Sequence, residues 1–133
     1  MKTVRIMTAA LLLAGSVTGI SQAQSQAPQG IGRTDVLRKD LDAKREVIQV
    51  RVDFAPGAAF PMHKHPGEEI AYVLEGTLEY KLGDQPPVRL NAGEALFIPA
   101  GVFHSAHNAG SVKSSELATY IVEKGKPLVV KQQ

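Results

Sequence analysis

Cysteine is absent from all 133 residues of this chain. The fold therefore has no disulfide framework even in an oxidising compartment, and it must stand on its core. The same absence argues against a lipid-anchored cysteine, and the lack of an arginine pair ahead of the apolar N-terminal stretch argues against twin-arginine export. No run of basic residues appears, so the chain lacks the electrostatic footprint of a nucleic-acid binder. No long stretch with a 3.6-residue apolar period occurs after the N-terminal region, which argues against a helical architecture.

What is present begins with a leader. Lys2 and Arg5 form a positive segment, and Ile6 to Ile20 follows without a charge. Gly15, Ser16, Thr18 and Gly19 interrupt this stretch, leaving it too short and too broken for a stable membrane anchor. Residues 1–23 read as a signal peptide, cut after Ala23 or near Ser25. The expected location is periplasmic or secreted, with export of the unfolded chain and metal loading outside the cytosol.

Removing the leader takes Lys2 and Arg5 from the fifteen Lys and Arg and none from the thirteen Asp and Glu, which leaves a formal net charge of zero. The remaining 110 residues suffice for one compact domain and not for two. Residues 24–32, rich in Gln, Ser, Ala and Gly, read as a flexible linker, and residues 33–133 as the domain.

From Glu46 to Phe54, apolar Ile48, Val50, Val52 and Phe54 alternate with Gln49, Arg51 and Asp53, the pattern of a half-buried strand. Further short segments follow at Phe60–His65, Glu69–Leu74, Thr77–Leu82, Val88–Leu90, Ala95–Ile98, His104–Asn108 and Leu117–Glu123. Turn signals such as Pro66-Gly67, Glu75-Gly76, Gly83-Asp84 and Pro99-Ala100-Gly101 separate them. Thr34 to Lys44 reads as an edge strand rather than a short helix. Many short strands in about a hundred residues indicate an all-β sandwich or barrel.

Within this frame, three imidazoles and one carboxylate suit a single metal ion. Residues two apart on a strand share a face, so His63 and His65 project together. Glu69 follows the Pro66-Gly67 turn, which brings the next strand back beside them, and His104 completes the set from a distant strand. Such a set suits iron, manganese, nickel, cobalt or zinc and leaves one or two positions open on a six-coordinate ion.

The two segments carrying these residues resemble the paired motifs of the cupin superfamily. The first runs Gly57, His63, His65, Glu69, Gly76; the second runs Gly93, Pro99, Gly101, His104, Asn108. All ten positions fall at the family's spacing, with sixteen residues between the motifs. The resemblance implies a double-stranded β-helix, or jelly-roll barrel, with one divalent transition metal bound by His63, His65, Glu69 and His104. It casts Asn108 as a structural cap near the end of its strand.

Neighbouring residues take lesser roles in this reading. His107 differs in parity from His104 and faces away, Glu68 is a secondary candidate to Glu69, and Phe60 and Met62 are packing residues. Tyr80 shares parity with Leu78 and Leu82 and points inward, as a core residue or with its hydroxyl offered to a ligand. Few other ionisable residues are expected to face the interior, which favours chemistry centred on the ion, with Glu69 as ligand and, if it leaves the metal, as base. The leading functional expectation is an oxygen-using, dioxygenase-like enzyme acting on a small organic molecule. A non-catalytic protein that binds a small ligand through the ion, and an oxygen-independent isomerase, lyase or decarboxylase, are the alternatives, and the superfamily hosts all of them. A homodimer through a sheet face is expected, with Tyr72 among its outward residues.

Overall fold

The computed structural model describes residues 27–133, so the leader and the first part of the linker lie outside the described residues. Within them the chain forms ten strands and no helix: β1 (Ile31–Asp40), β2 (Arg45–Phe54), β3 (Ala59–Lys64), β4 (Gly67–Glu75), β5 (Thr77–Leu82), β6 (Val88–Asn91), β7 (Ala95–Ile98), β8 (His104–His107), β9 (Ser114–Glu123) and β10 (Val130–Lys131). Two five-stranded antiparallel sheets result, ordered β1-β2-β9-β4-β7 and β10-β3-β8-β5-β6. This is the all-β double-sheet barrel expected from the sequence.

Thr34 to Lys44 is indeed mostly strand. β1 starts at Ile31 and pairs with β2 from Ile31 opposite Phe54 to Asp40 opposite Glu46, with a register shift between Asp35 and Leu37. At the other end, β9 begins at Ser114, three residues before Leu117, and runs the full length of β2 from Phe54 to Arg45. The two-residue β10 pairs with β3 and is too short to leave a periodic signal.

The alternation in β2 works as read: Ile48, Val50, Val52 and Phe54 are buried, while the residues between them are half-buried. They meet Ala71 and Val73 of β4, Leu78 and Tyr80 of β5, and Ala118, Tyr120 and Val122 of β9 in one core between the sheets. Burying each large apolar side chain contributes roughly 1.5–3 kcal/mol. Among the described glycines the tightest backbone approach is at Gly67, where β4 pairs with β9. A Cβ there would run into the carbonyl of Ile121 and the Cα of Val122, neither of which can move aside.

Asn108 closes the barrel end, in keeping with the structural part expected for it. It is fully buried, and its Nδ2 donates to the carbonyls of Phe54 (3.1 Å), Ala55 (3.3 Å) and Val112 (2.8 Å), while Oδ1 accepts from the Gly110 amide at 3.0 Å. One side chain thus ties the end of β2 to the loop leading into β9. On the outer face of the first sheet Ile70, Tyr72, Leu74 and Phe97 stand 38–57% exposed.

Candidate metal centre

The two sheets bring the four candidate ligands together. His63 near the end of β3 and His104 at the start of β8 are direct cross-strand partners, in a stretch where the β3–β8 register shifts after Phe60. His65 lies one residue beyond β3, and Glu69 comes from β4 in the opposite sheet, where it pairs with Tyr120 and Ile98. Gly101 turns the β7–β8 connection at a φ of 73°, a value that favours glycine, and its amide donates to the His65 carbonyl at 3.1 Å. All four ligand residues are buried, and one donor atom from each lies within 4.8 Å of every other.

The second nitrogen of each ring decides what the first can do. Nδ1 lies 2.7 Å from the Pro61 carbonyl in His63, 2.6 Å from the Leu128 carbonyl in His65, and 3.0 Å from the Val102 carbonyl in His104. A carbonyl only accepts, so each Nδ1 carries a proton and each ring turns its Nε2 towards the cluster, where a neutral ring presents a lone pair. This is the second-sphere pattern that orients metal-binding histidines. His65 Nε2 and Glu69 Oε2 are buried without a hydrogen-bond partner. Glu69 Oε2 nevertheless lies 3.0 Å from Nε2 of both His65 and His104. Lone pairs converging at that distance need either an extra proton or a cation, and the donor set fits a divalent first-row ion.

The electrostatics agree. Burial, with His104 next in weight, holds the His63 imidazole down at about 4, in its neutral form. Burial works against ionisation of Glu69, but the two facing imidazoles outweigh it and hold the carboxyl down at about 2. Burial likewise opposes protonation of His104, and the Glu69 carboxylate overrides it and raises that ring. The cluster is built around one fixed negative charge whose oxygen could ligate an ion.

The site contains more ionisable groups than expected, which corrects the reading that few would face inward. Glu116, Tyr80 and Tyr120 all line the same small cavity as His63, Glu69 and His104, together with Arg33, Val52, Phe60 and Ala106. Glu116 is buried, and its Oε2 accepts a hydrogen bond from the Tyr80 hydroxyl. Burial first, then the Glu69 charge, push the Glu116 carboxyl up to about 8, so it is neutral at pH 7. Burial also raises both tyrosines above the ordinary phenol range. Glu116 shares a face with Ala118, Tyr120 and Val122, so parity points it inward once the strand is started at Ser114 rather than Leu117.

The cavity offers about 10 Å³ to water-sized molecules, room for roughly one water. A broader hollow of about 770 Å³ between Asp42–Arg45 and Glu123–Lys124 lies open on the surface and contains none of the ligand set. His107 and Glu68 are half-buried and outside the cluster. Phe60 is buried with its ring 4.5 Å from that of His63, so it walls the cavity as well as packing, and Met62 is half-buried.

A two-sheet barrel holding a buried cluster of three histidines and one glutamate defines a class of small metal-binding β-barrels. Residues 50–120 match the cupin domain, and the chain belongs to the cupin family. It is 41% identical over 49 residues to the dimethylsulfoniopropionate lyase DddQ of Ruegeria pomeroyi, covering 37% of this chain and 24% of that protein. It is 37% identical over 78 residues to germin-like protein subfamily 2 member 1 of Arabidopsis thaliana, covering 53% and 34%. The chain thus spans about a quarter to a third of these relatives' length. A solved structure of recombinant oxalate oxidase in complex with glycolate superposes with a TM-score of 0.65 at 28% identity, over 78% of this chain and 56% of that one.

Proposed function

We propose that this chain is an exported metal-dependent enzyme of the oxygen-using kind, dioxygenase-like in its use of the ion, acting on a small organic molecule. The observation that carries this reading is the convergence of three Nε2 lone pairs and Glu69 on an enclosed cavity of about 10 Å³. The cavity has room for roughly one water, so a substrate has to enter by displacement of a side chain at its mouth. Kinship with oxalate oxidase supports the same direction.

His63, His65, Glu69 and His104 would hold the ion. When bound, a redox-active first-row metal supplies Lewis acidity and an electron route to oxygen. Phe60, Val52 and Tyr120 wall the cavity and leave little room for bulk water. Glu69, with its carboxyl held near 2, serves as a ligand more readily than as a base. Glu116 keeps a proton at neutral pH beside the Tyr80 hydroxyl and is better matched to proton transfer. That buried pair also favours the second reading, an oxygen-independent lyase, isomerase or decarboxylase, in line with the lyase among the relatives.

Purification of the exported form without a metal-affinity tag, metal analysis, and oxygen-uptake assays against phenols, diketones, thiols and small carboxylates test the proposal. Turnover that stops without oxygen supports the first reading, and oxygen-independent turnover supports the second. Saturable binding with no turnover under any metal loading rejects both in favour of a binding protein. We also assign the outer apolar face bearing Ile70, Tyr72, Leu74 and Phe97 to a homodimer contact, to be tested by light scattering.

A further inference from the structure

Arg33 differs from every other residue around the cavity. Val52, Phe60, His63, Glu69, Tyr80, His104, Ala106, Glu116 and Tyr120 are buried, while Arg33 is only half-buried, so it stands where the cavity meets solvent. It sits on the edge strand β1 opposite Val52, and its guanidinium lies 5.8 Å from the centre of the Phe60 ring. Among the described residues no carboxylate lies within ion-pair distance of it. Its guanidinium reaches the Tyr120 hydroxyl and the field of Glu116, a carboxyl already engaged by the Tyr80 hydroxyl.

With Glu116 neutral, the charges of Glu69 and Arg33 cancel in the metal-free cavity, and a divalent cation among the ligands leaves a positive excess. Glu69 commits its negative charge to the imidazole cluster, which leaves the Arg33 guanidinium at the mouth without an ion-pair partner of its own. An arginine stacked on an aromatic ring presents a planar fork of donors, whose natural partner is a planar, bidentate oxyanion.

We propose that Arg33 is the gate and recognition residue of the cavity, and that it selects a small carboxylate. The guanidinium swings outward on its solvent side to admit the ligand, then pairs with the carboxylate and directs its other end towards His63, Glu69 and His104. Water-sized molecules pass without this movement, whereas a neutral organic molecule of the same size gains no charge-assisted bond at the mouth. The inference rests on the metal-centre reading for what the ligand meets inside, but the recognition belongs to Arg33 itself.

The test is equilibrium dialysis of radiolabelled acetate and of its neutral isostere acetamide, with the exported chain both metal-loaded and metal-stripped, for wild type, Arg33→Gln and Arg33→Lys. Wild type should bind acetate at least about ten-fold more tightly than acetamide. Arg33→Gln should weaken acetate about ten- to a hundred-fold while leaving acetamide, metal content and melting temperature unchanged. Arg33→Lys should recover part of the loss, since it restores the charge without the fork. Equal acetate binding by wild type and Arg33→Gln, or no preference for acetate over acetamide, would overturn the proposal. Should wild type hold no metal while acetate binding still falls in Arg33→Gln, the metal reading fails and the arginine gate stands. Retained metal with unchanged acetate binding in Arg33→Gln overturns the gate and leaves the metal centre intact.

Discussion

Replacing Glu116 with Gln is expected to stabilise the metal-free protein at pH 8 and to flatten its stability between pH 5 and pH 8. Folding raises the carboxyl from 4.5 to about 8, because it is buried and faces the charge of Glu69. A carboxyl raised in this way stays protonated in the native state while the unfolded chain ionises, so the native state loses ground as pH climbs from about 4.5 to about 8. Linkage over that interval gives a loss of ~3.5 kcal/mol between pH 5 and pH 8 as an upper bound. Gln retains an oxygen to accept the Tyr80 hydroxyl and has no charge to bury. Titration of His63, which Glu116 does not influence, cancels in the comparison, whereas His104 is raised in part by the Glu116 charge and contributes to the difference. Urea denaturation followed by far-ultraviolet circular dichroism, at both pH values and with chelator present, measures the difference. Parallel pH profiles for wild type and Glu116→Gln would refute the claim that a neutral buried carboxyl faces the metal cluster.

Asn108→Ala should cost about 3–5 kcal/mol in urea denaturation, because it leaves buried carbonyls at the barrel end without donors; a loss under about 1 kcal/mol would contradict the capping role. Gly67→Ala should destabilise by ~3 kcal/mol or more in the same assay, since a methyl group collides with the β9 backbone, and a near-neutral result would place the two strands further apart. Tyr72→Asp should convert the expected dimer to a monomer by light scattering while leaving the melting temperature of the isolated subunit little changed. A wild-type mass equal to one chain would reject the dimer outright.

The barrel was legible because its strands are short, alternating and separated by turn residues, and because β2 carries four inward apolar residues in strict alternation. The ligand set was legible because two histidines share a strand face and the glycine and proline positions around them fix where the strands reverse. Glu116 escaped detection for a physical reason. On β9 both faces carry apolar residues, with Leu117, Thr119 and Ile121 half-buried against Ala118, Tyr120 and Val122, so periodicity alone could not say which face turned inward or where the strand began. Arg33 escaped too, because β1 is an edge strand exposed over most of its length and only its first residues reach the cavity. The bond from His65 Nδ1 to Leu128, 63 residues away, is a tertiary contact that no local pattern encodes.

The central claim is that His63, His65, Glu69 and His104 hold one transition-metal ion. Metal analysis by inductively coupled plasma mass spectrometry, on the exported protein purified without an affinity tag and on His104→Ala prepared in parallel, tests it most directly. One divalent first-row ion per chain in the wild type, falling to a small fraction in His104→Ala with the barrel still folded by circular dichroism, is the predicted result. A wild-type chain that takes up no metal when offered iron, manganese, nickel, cobalt and zinc in turn, or a His104→Ala variant that keeps a full complement, would contradict it.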